Sequence, residues 1–193
     1  MGGFSNKLVS KAQDELAVYG GMAEHITPLK ERIGLYWDFL KRPDLDGSDH
    51  EVAWSAAFVS YMINLAGANS TFPYSAQHSV YFYRTINDKA IKKASAFWGY
   101  RPSEVTIEPG DIIGMNRAGK PAIDYDWAMT HADYFSHADI VVSVSGKMVE
   151  AIGGNVGTPP GEIDRKVFTQ TGGKLLNKSK TQEVFVVIKN FLP

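Results

Sequence analysis

The sequence predicts an α+β domain in which a central buried helix packs on an antiparallel sheet. Three observations lead there. Apolar residues recur at helical spacing through roughly the first hundred positions. From Thr106 onward the pattern changes to short apolar or alternating runs bounded by Gly, Pro and Ser. The two regimes follow one another and do not alternate, as they would in a parallel α/β fold.

Each element can be read in order. Phe4, Leu8, Ala12 and Leu16 recur every fourth residue, and Gly20-Gly21 stops the first helix. Thr27-Pro28 reads as an N-cap and first-turn proline opening a helix to about Leu40, with Leu29, Ile33, Tyr36, Trp37 and Leu40 on one stripe. RPDLDGSDHE is a polar surface loop. The run AWSAAFVSYMINLAGA is apolar on nearly every side, as expected of a helix inside the domain, with Gly67 as its C-terminal cap. Ser75 to Trp98 reads as further helix, in two pieces and strongly aromatic. EPGDIIGM is a turn into a short strand. HADIVVSV and KMVEAIGG are two strands around a tight turn at Ser145-Gly146, and KVFTQT and EVFVVIKNF are two more.

Composition bounds the function. With 193 residues, 44% hydrophobic and 12% aromatic, the chain can bury a full core, which excludes disorder as its main state. No linker or repeat divides it, so residues 1–193 read as one domain, with residues 4–40 a helical extension packed on it. Twenty basic against 21 acidic residues gives no basic excess for nucleic acid, so no such partner is expected. The absence of cysteine excludes disulfides, thiolate zinc sites and a thiol nucleophile. No apolar run reaches the ~18 residues of a membrane span, and no membrane partner is expected. The N-terminal residues lack a secretory-signal pattern. If the protein acts outside the cytoplasm, something other than its own leader must deliver it, or a leader was trimmed.

Three residues form a candidate catalytic set. Ser55 follows Trp54 at the start of the buried helix, where free backbone N–H groups and the helix dipole favour an anionic nucleophile and an oxyanion. His137 opens an otherwise apolar strand and can carry the proton. Glu150 or Asn155 on the next strand could orient the imidazole. Glu150 is placed opposite His137 across the hairpin by the turn near their midpoint.

Plainer readings stand beside these. Ser55 could serve only as a helix N-cap, and His137 only as a strand-end histidine on a backbone carbonyl. His131, Asp133, His137 and Asp139 have residue types that suit zinc or manganese, so a metal-dependent hydrolase is an alternative; no metal or other cofactor is assigned. Asp139 shares a strand face with His137 and could orient it or bind a substrate amine. His78, among aromatics, reads equally as a cleft residue or a half-buried helix histidine. The cluster Tyr74, Tyr81, Phe82, Tyr83, Phe97, Trp98 and Tyr100 reads as core sooner than as a glycan platform.

The motifs WSAAFVSYMINLAGA, EPGDII, SHADIVVSV and VEAIGGNV, in that order, resemble the CHAP and NlpC-type papain-like peptidoglycan hydrolases. They are closest to a related bacterial and phage family, a domain of unknown function with serine at the nucleophile position. The resemblance covers about Glu51 to Val156. It implies a papain-like fold and Ser55 as nucleophile, His137 as base, and Glu150 or Asn155 as orienter. It further implies that Trp54 packs beside the substrate site, that His78 reaches the cleft, and that Gly110-Asp111 shapes the turn into the first strand. The implied activity is cleavage of a peptidoglycan amide, as an N-acetylmuramoyl-L-alanine amidase or a stem-peptide endopeptidase. The implied setting is a phage or bacterial toxin, made in the cytoplasm and acting on the cell wall after lysis, phage delivery or secretion, for which an immunity protein would be a partner.

The chain departs from that pattern at its nucleophile. The cysteine families form a stable thiolate, whereas a serine hydroxyl must lose its proton during attack. Three explanations remain open: serine is the natural nucleophile, serine replaces a cysteine, or the fold serves as a non-catalytic wall- or partner-binding module.

Overall fold

The fold is α+β, in a computed structural model that describes residues 3–157, 160–176 and 183–193. Helix α1 (Gly3–Tyr19) buries Phe4, Leu8 and Ala12, the stripe expected from their spacing. Gly21, at φ +74°, lets the chain leave that helix. Helix α2 (Leu29–Phe39) buries Leu29, Ile33, Tyr36 and Trp37. Thr27 does not cap it: its hydroxyl bonds Glu31 Oε1 at 3.0 Å, and Pro28 holds the capping position.

Helix α3 (Ser55–Leu65) buries eight of its eleven residues. It packs on two central strands, with α1 and α2 against it. Gly67 follows at φ +98°, the left-handed conformation that lets the chain turn away.

The aromatic stretch after it departs from expectation. Only α4 (His78–Ala90) is helical, and the second piece is an edge strand, β1 (Phe97–Tyr100). Phe97 is buried and Trp98 and Tyr100 are half-buried, the alternation of a strand whose one face meets the core. Tyr81 and Phe82 are buried in that core too, while Tyr74 and Tyr83 are half-buried.

The remaining elements are β2 (Ile112–Asn116), α5 (Tyr125–Thr130), β3 (Ser136–Ser145), β4 (Met148–Val156), β5 (Glu162–Thr171), β6 (Lys174–Leu176) and β7 (Val184–Asn190). Helix α5 falls in a segment with no helical period in the sequence. Asp124 caps it, accepting from the Trp127 N–H. The β3–β4 turn lies at Gly146-Lys147, one residue later than expected, with Gly146 at φ +57°.

All strand pairs are antiparallel, in the order β1-β7-β2-β3-β4-β5-β6. Alternate residues divide between two apolar clusters. Ile112, Ala138, Ile140, Ile152 and Val186 join the main core with α1–α4. Ile113, Met115, Val141, Ala151 and Val187 form a second cluster on the opposite face. Close approach fixes the helix layer. A Cβ on Gly114 would come 2.5 Å from the Phe82 ring, so α4 lies directly on β2. A Cβ on Gly154 would come 2.5 Å from the Trp54 ring and 2.8 Å from Phe58, so the start of α3 lies directly on β4.

Candidate active site

Ser55 is the first residue of α3 and His78 the first of α4. The two helices thus bring their N-termini together over one end of the sheet. Trp54, not Ser55, occupies the N-cap position of α3, with no side-chain cap. The Ser55 hydroxyl lies instead 2.6 Å from His78 Nε2. The other ring nitrogen, Nδ1, contacts the Tyr81 hydroxyl one turn along the same helix. Ser55, Ala56, Gln77 and His78 line a cleft of about 500 Å³, together with residues of the β2–α5 connection and the approach to β3.

His137 does not take the place expected for the base. Its ring is 5.6 Å from that of His78, centroid to centroid, and Nε2 lies 2.8 Å from Asp139 Oδ1. Asp139 is fully buried and also pairs with Lys166, with Nζ 3.1 Å from Oδ2. A Cβ on Gly153 would overlap Asp139 Oδ1 and come 3.1 Å from His137 Nε2, so only glycine leaves room for this pair. The same-strand relation of His137 and Asp139 therefore produces a direct contact.

Glu150 does not face His137. It stands opposite Ser143 on β3 and accepts from Arg165 at 3.1 Å. The pair Ile140–Ile152 sets the register, and its extension toward His137 reaches Asn155. The expectation failed because the turn lies at Gly146-Lys147, three residues beyond the midpoint of His137 and Glu150, and a bulge between Val141 and Ser143 shifts the register by only one residue. Asn155 itself, at φ +55°, turns toward Gly161 and Glu24: a Cβ on Gly161 would come 2.5 Å from its Oδ1 and 2.9 Å from Glu24 Oε2.

Glu24 carries no signal in the sequence, yet it anchors the nucleophile's neighbour. It is buried, and it accepts the Trp54 indole N–H at 2.6 Å and contacts His50 Nδ1 at 3.0 Å. Trp54 is buried against Tyr36 and Gly154 and supports the site from behind. Gly110 sits at φ +92°, and Asp111 accepts the Glu108 N–H and pairs with Lys189 at 2.9 Å, closing the turn before β2.

The four residues weighed as metal ligands do not gather. His131 stacks on Trp127 with centroids 3.7 Å apart, while His137 points to Asp139. Among the described residues no three His, Asp or Glu side chains are placed to hold an ion.

Burial sets the charge states. It pushes His78 well below the usual histidine range, and the neighbouring His137 and cationic Arg117 and Lys166 push the same way; Asp139 opposes them. His137 is lowered as well, chiefly by burial and against the pull of Asp139. Asp139 stays ionised: burial raises it, but His137 and Lys166 outweigh that and hold it far below the carboxylate range. An ionised Asp139 at 2.8 Å requires a proton on His137 Nε2. A neutral His78 can accept the Ser55 proton at Nε2 with Nδ1–H donated to Tyr81.

A family model described as an uncharacterized protein conserved in bacteria, DUF2272, matches residues 41–185. The chain belongs to the DUF2272 family. The match runs from the loop before Trp54 into β7 and so contains Ser55, His78, His137 and Asp139, while α1 and α2 precede it. No curated protein and no solved structure matches the chain.

The sequence contains signals for some of what it left unassigned. His78 and Tyr81 are three apart at a helix start, a spacing that puts both on one face. Nothing comparable marks Glu24, Arg117 or Lys166, which reach the site from separate segments.

Proposed function

We propose that this DUF2272 chain is a serine-dependent amide hydrolase of papain-like architecture, acting on bacterial peptidoglycan. The observation that carries the reading is the 2.6 Å contact between Ser55 Oγ and His78 Nε2 at the mouth of a cleft. The peptidoglycan substrate rests on the motif resemblance. Both bonds considered from the sequence, the muramoyl–alanine amide and an amide within the peptide stem, suit the same chemistry.

In this reading Ser55 Oγ attacks the carbonyl carbon while its proton passes to His78 Nε2. The oxyanion is stabilised by α3 amides: Ser55, Ala56 and Ala57 precede the first intrahelical bond, from Phe58 N–H to the Trp54 carbonyl. Collapse breaks the C–N bond, and Nε2 returns the proton to the leaving amine. Water then attacks the acyl-serine, giving its proton to Nε2, and the C–Oγ bond breaks as Nε2 returns that proton to Ser55 Oγ, releasing the acid. Tyr81 holds the imidazole from its other nitrogen. Asp139 supplies the negative charge that favours the transient imidazolium. His137 thus stands behind the base, tying Asp139 in place. The base role therefore moves from His137 to His78.

The direct test is incubation with purified peptidoglycan, with new amine termini read by mass spectrometry. A fluorophosphonate, which traps activated serines, should label Ser55 in parallel. Release of amines together with labelling is expected. No release from the wild-type chain, with no gain in Ser55→Cys, would sink the hydrolase. Wall binding without release would instead favour a binding module.

The pH dependence has a definite sign. Protonation of His78 disables the base, and burial makes protonation harder than in free histidine. As pH falls through 6.5, activity should persist; the acid limb of kcat/KM should lie well below that value. A limb at or above 6.5 would contradict a buried neutral base.

A further inference from the structure

The cleft has a second wall that the reaction at Ser55 does not use. Arg117, Asp133, Tyr134, Phe135 and Ser136 line it. Arg32, Arg42, Arg101 and Arg165 each hold a carboxylate, whereas Arg84 and Arg117 pair with none among the described residues, and of these two Arg117 is the one exposed in this cleft. Asp133, the one acidic residue in the lining, is also exposed and is not bonded to it, so this is not a self-neutralised ion pair.

Beside Arg117 stand polar groups without partners. Ser136 is only 5% exposed, and among the described residues its Oγ has no hydrogen-bond partner; nor does the Tyr134 hydroxyl. Asn116, paired with Ser136 across β2 and β3, spends Oδ1 on the Ile123 N–H, and its buried Nδ2 is likewise unpartnered. Buried polar groups normally find partners, because leaving them unpaired is costly. Ser136 and Tyr134 share the cleft lining with Arg117, and Asn116 stands behind Ser136; the uncommitted guanidinium beside them calls for an anionic partner from outside the chain. The facing wall adds to the same field, since the N-termini of α3 and α4 both reach the cleft.

We propose that this wall is a carboxylate subsite: the substrate carries a free carboxylate close to the bond attacked by Ser55, held by Arg117, with Ser136 and Tyr134 beside it on the same wall. One guanidinium matches one planar carboxylate in charge and geometry. The assignment deepens the hydrolase reading and rests on it for the position of the bond. Recognition would favour peptides with unmodified acidic groups and reject their amidated forms.

The test uses the full chain with Ser55→Ala, so that binding is separated from turnover. An N-acetylated stem tetrapeptide with free carboxylates, and its carboxamide counterpart, are titrated by calorimetry. The acid should bind about tenfold to a hundredfold more tightly than the amide. Adding Arg117→Gln, an exposed change that circular dichroism can check for folding, should abolish that preference. Equal affinity for the two peptides, no measurable binding of either, or a preference that survives Arg117→Gln would each overturn the subsite. Fluorophosphonate labelling of wild-type Ser55 separates the two claims. Labelling with carboxylate-indifferent binding sinks the subsite alone, whereas carboxylate-dependent binding without labelling or turnover sinks the hydrolase alone.

Discussion

Replacing His78 by asparagine should lower kcat by about 10²–10⁴, the usual worth of a positioned general base. His137→Asn should cost less. The difference follows from which imidazole meets the hydroxyl. His78 Nε2 is 2.6 Å from Ser55 Oγ, within reach for proton transfer, whereas His137 Nε2 is committed to Asp139 at 2.8 Å. Without His78 nothing at that distance takes the serine proton. Without His137, Asp139 keeps Lys166 and still favours a charged His78, though less firmly placed. Steady-state kinetics on both variants, with KM and kcat separated, decides the matter. A near-normal His78 variant beside an inactive His137 variant would return the base role to the strand histidine.

Trp54→Ala should destabilise the fold by about 3–5 kcal/mol, the range for truncating a large buried aromatic. For a chain of this length that corresponds to a fall in melting temperature of about 6–20 °C. Trp54 is 1% exposed, and its ring packs on Tyr36 and on the face of Gly154. Its loss would open a cavity under the start of α3. It would also take the indole N–H from Glu24, leaving a buried carboxylate with only His50 in contact. Because Trp54 precedes Ser55 directly, the nucleophile should lose its placement as well, so fluorophosphonate labelling should slow in the folded variant. Trp54→Phe, which restores most of the volume but not the N–H, should recover much of the stability. Thermal denaturation of the two variants separates the packing contribution from that of the hydrogen bond.

Regular elements were the legible part of this chain. The four-residue spacing in α1, the unbroken apolar run of α3 and the short apolar strands all follow from contacts near in sequence. Where context overrode local pattern, expectation failed. Aromatic residues 97–100 fit helix or strand equally, and pairing with β7 made them a strand. Helix α5 is too short to show a period, and only its Asp124 cap marks it. Among the site residues, Ser55 could be singled out by its place at a buried helix start, and Asp139 by its place two residues from His137. The proposed base could not be so assigned. His78 fitted a core histidine as well as a cleft residue, and nothing local says where the start of one helix docks on another.

By itself, then, the sequence determined the α+β order, the buried central helix and the serine that opens it, since periodicity and burial are written in neighbouring residues. Tertiary structure alone decided that His78 and not His137 meets Ser55, that Glu150 turns to Arg165, and that Arg117 stands free over the cleft. Those outcomes depend on where the β3–β4 turn sets the register, on helices seated directly on Gly114 and Gly154, and on contacts of a few ångströms between distant segments. Such distances are set by how whole layers pack, which no local pattern of residues encodes.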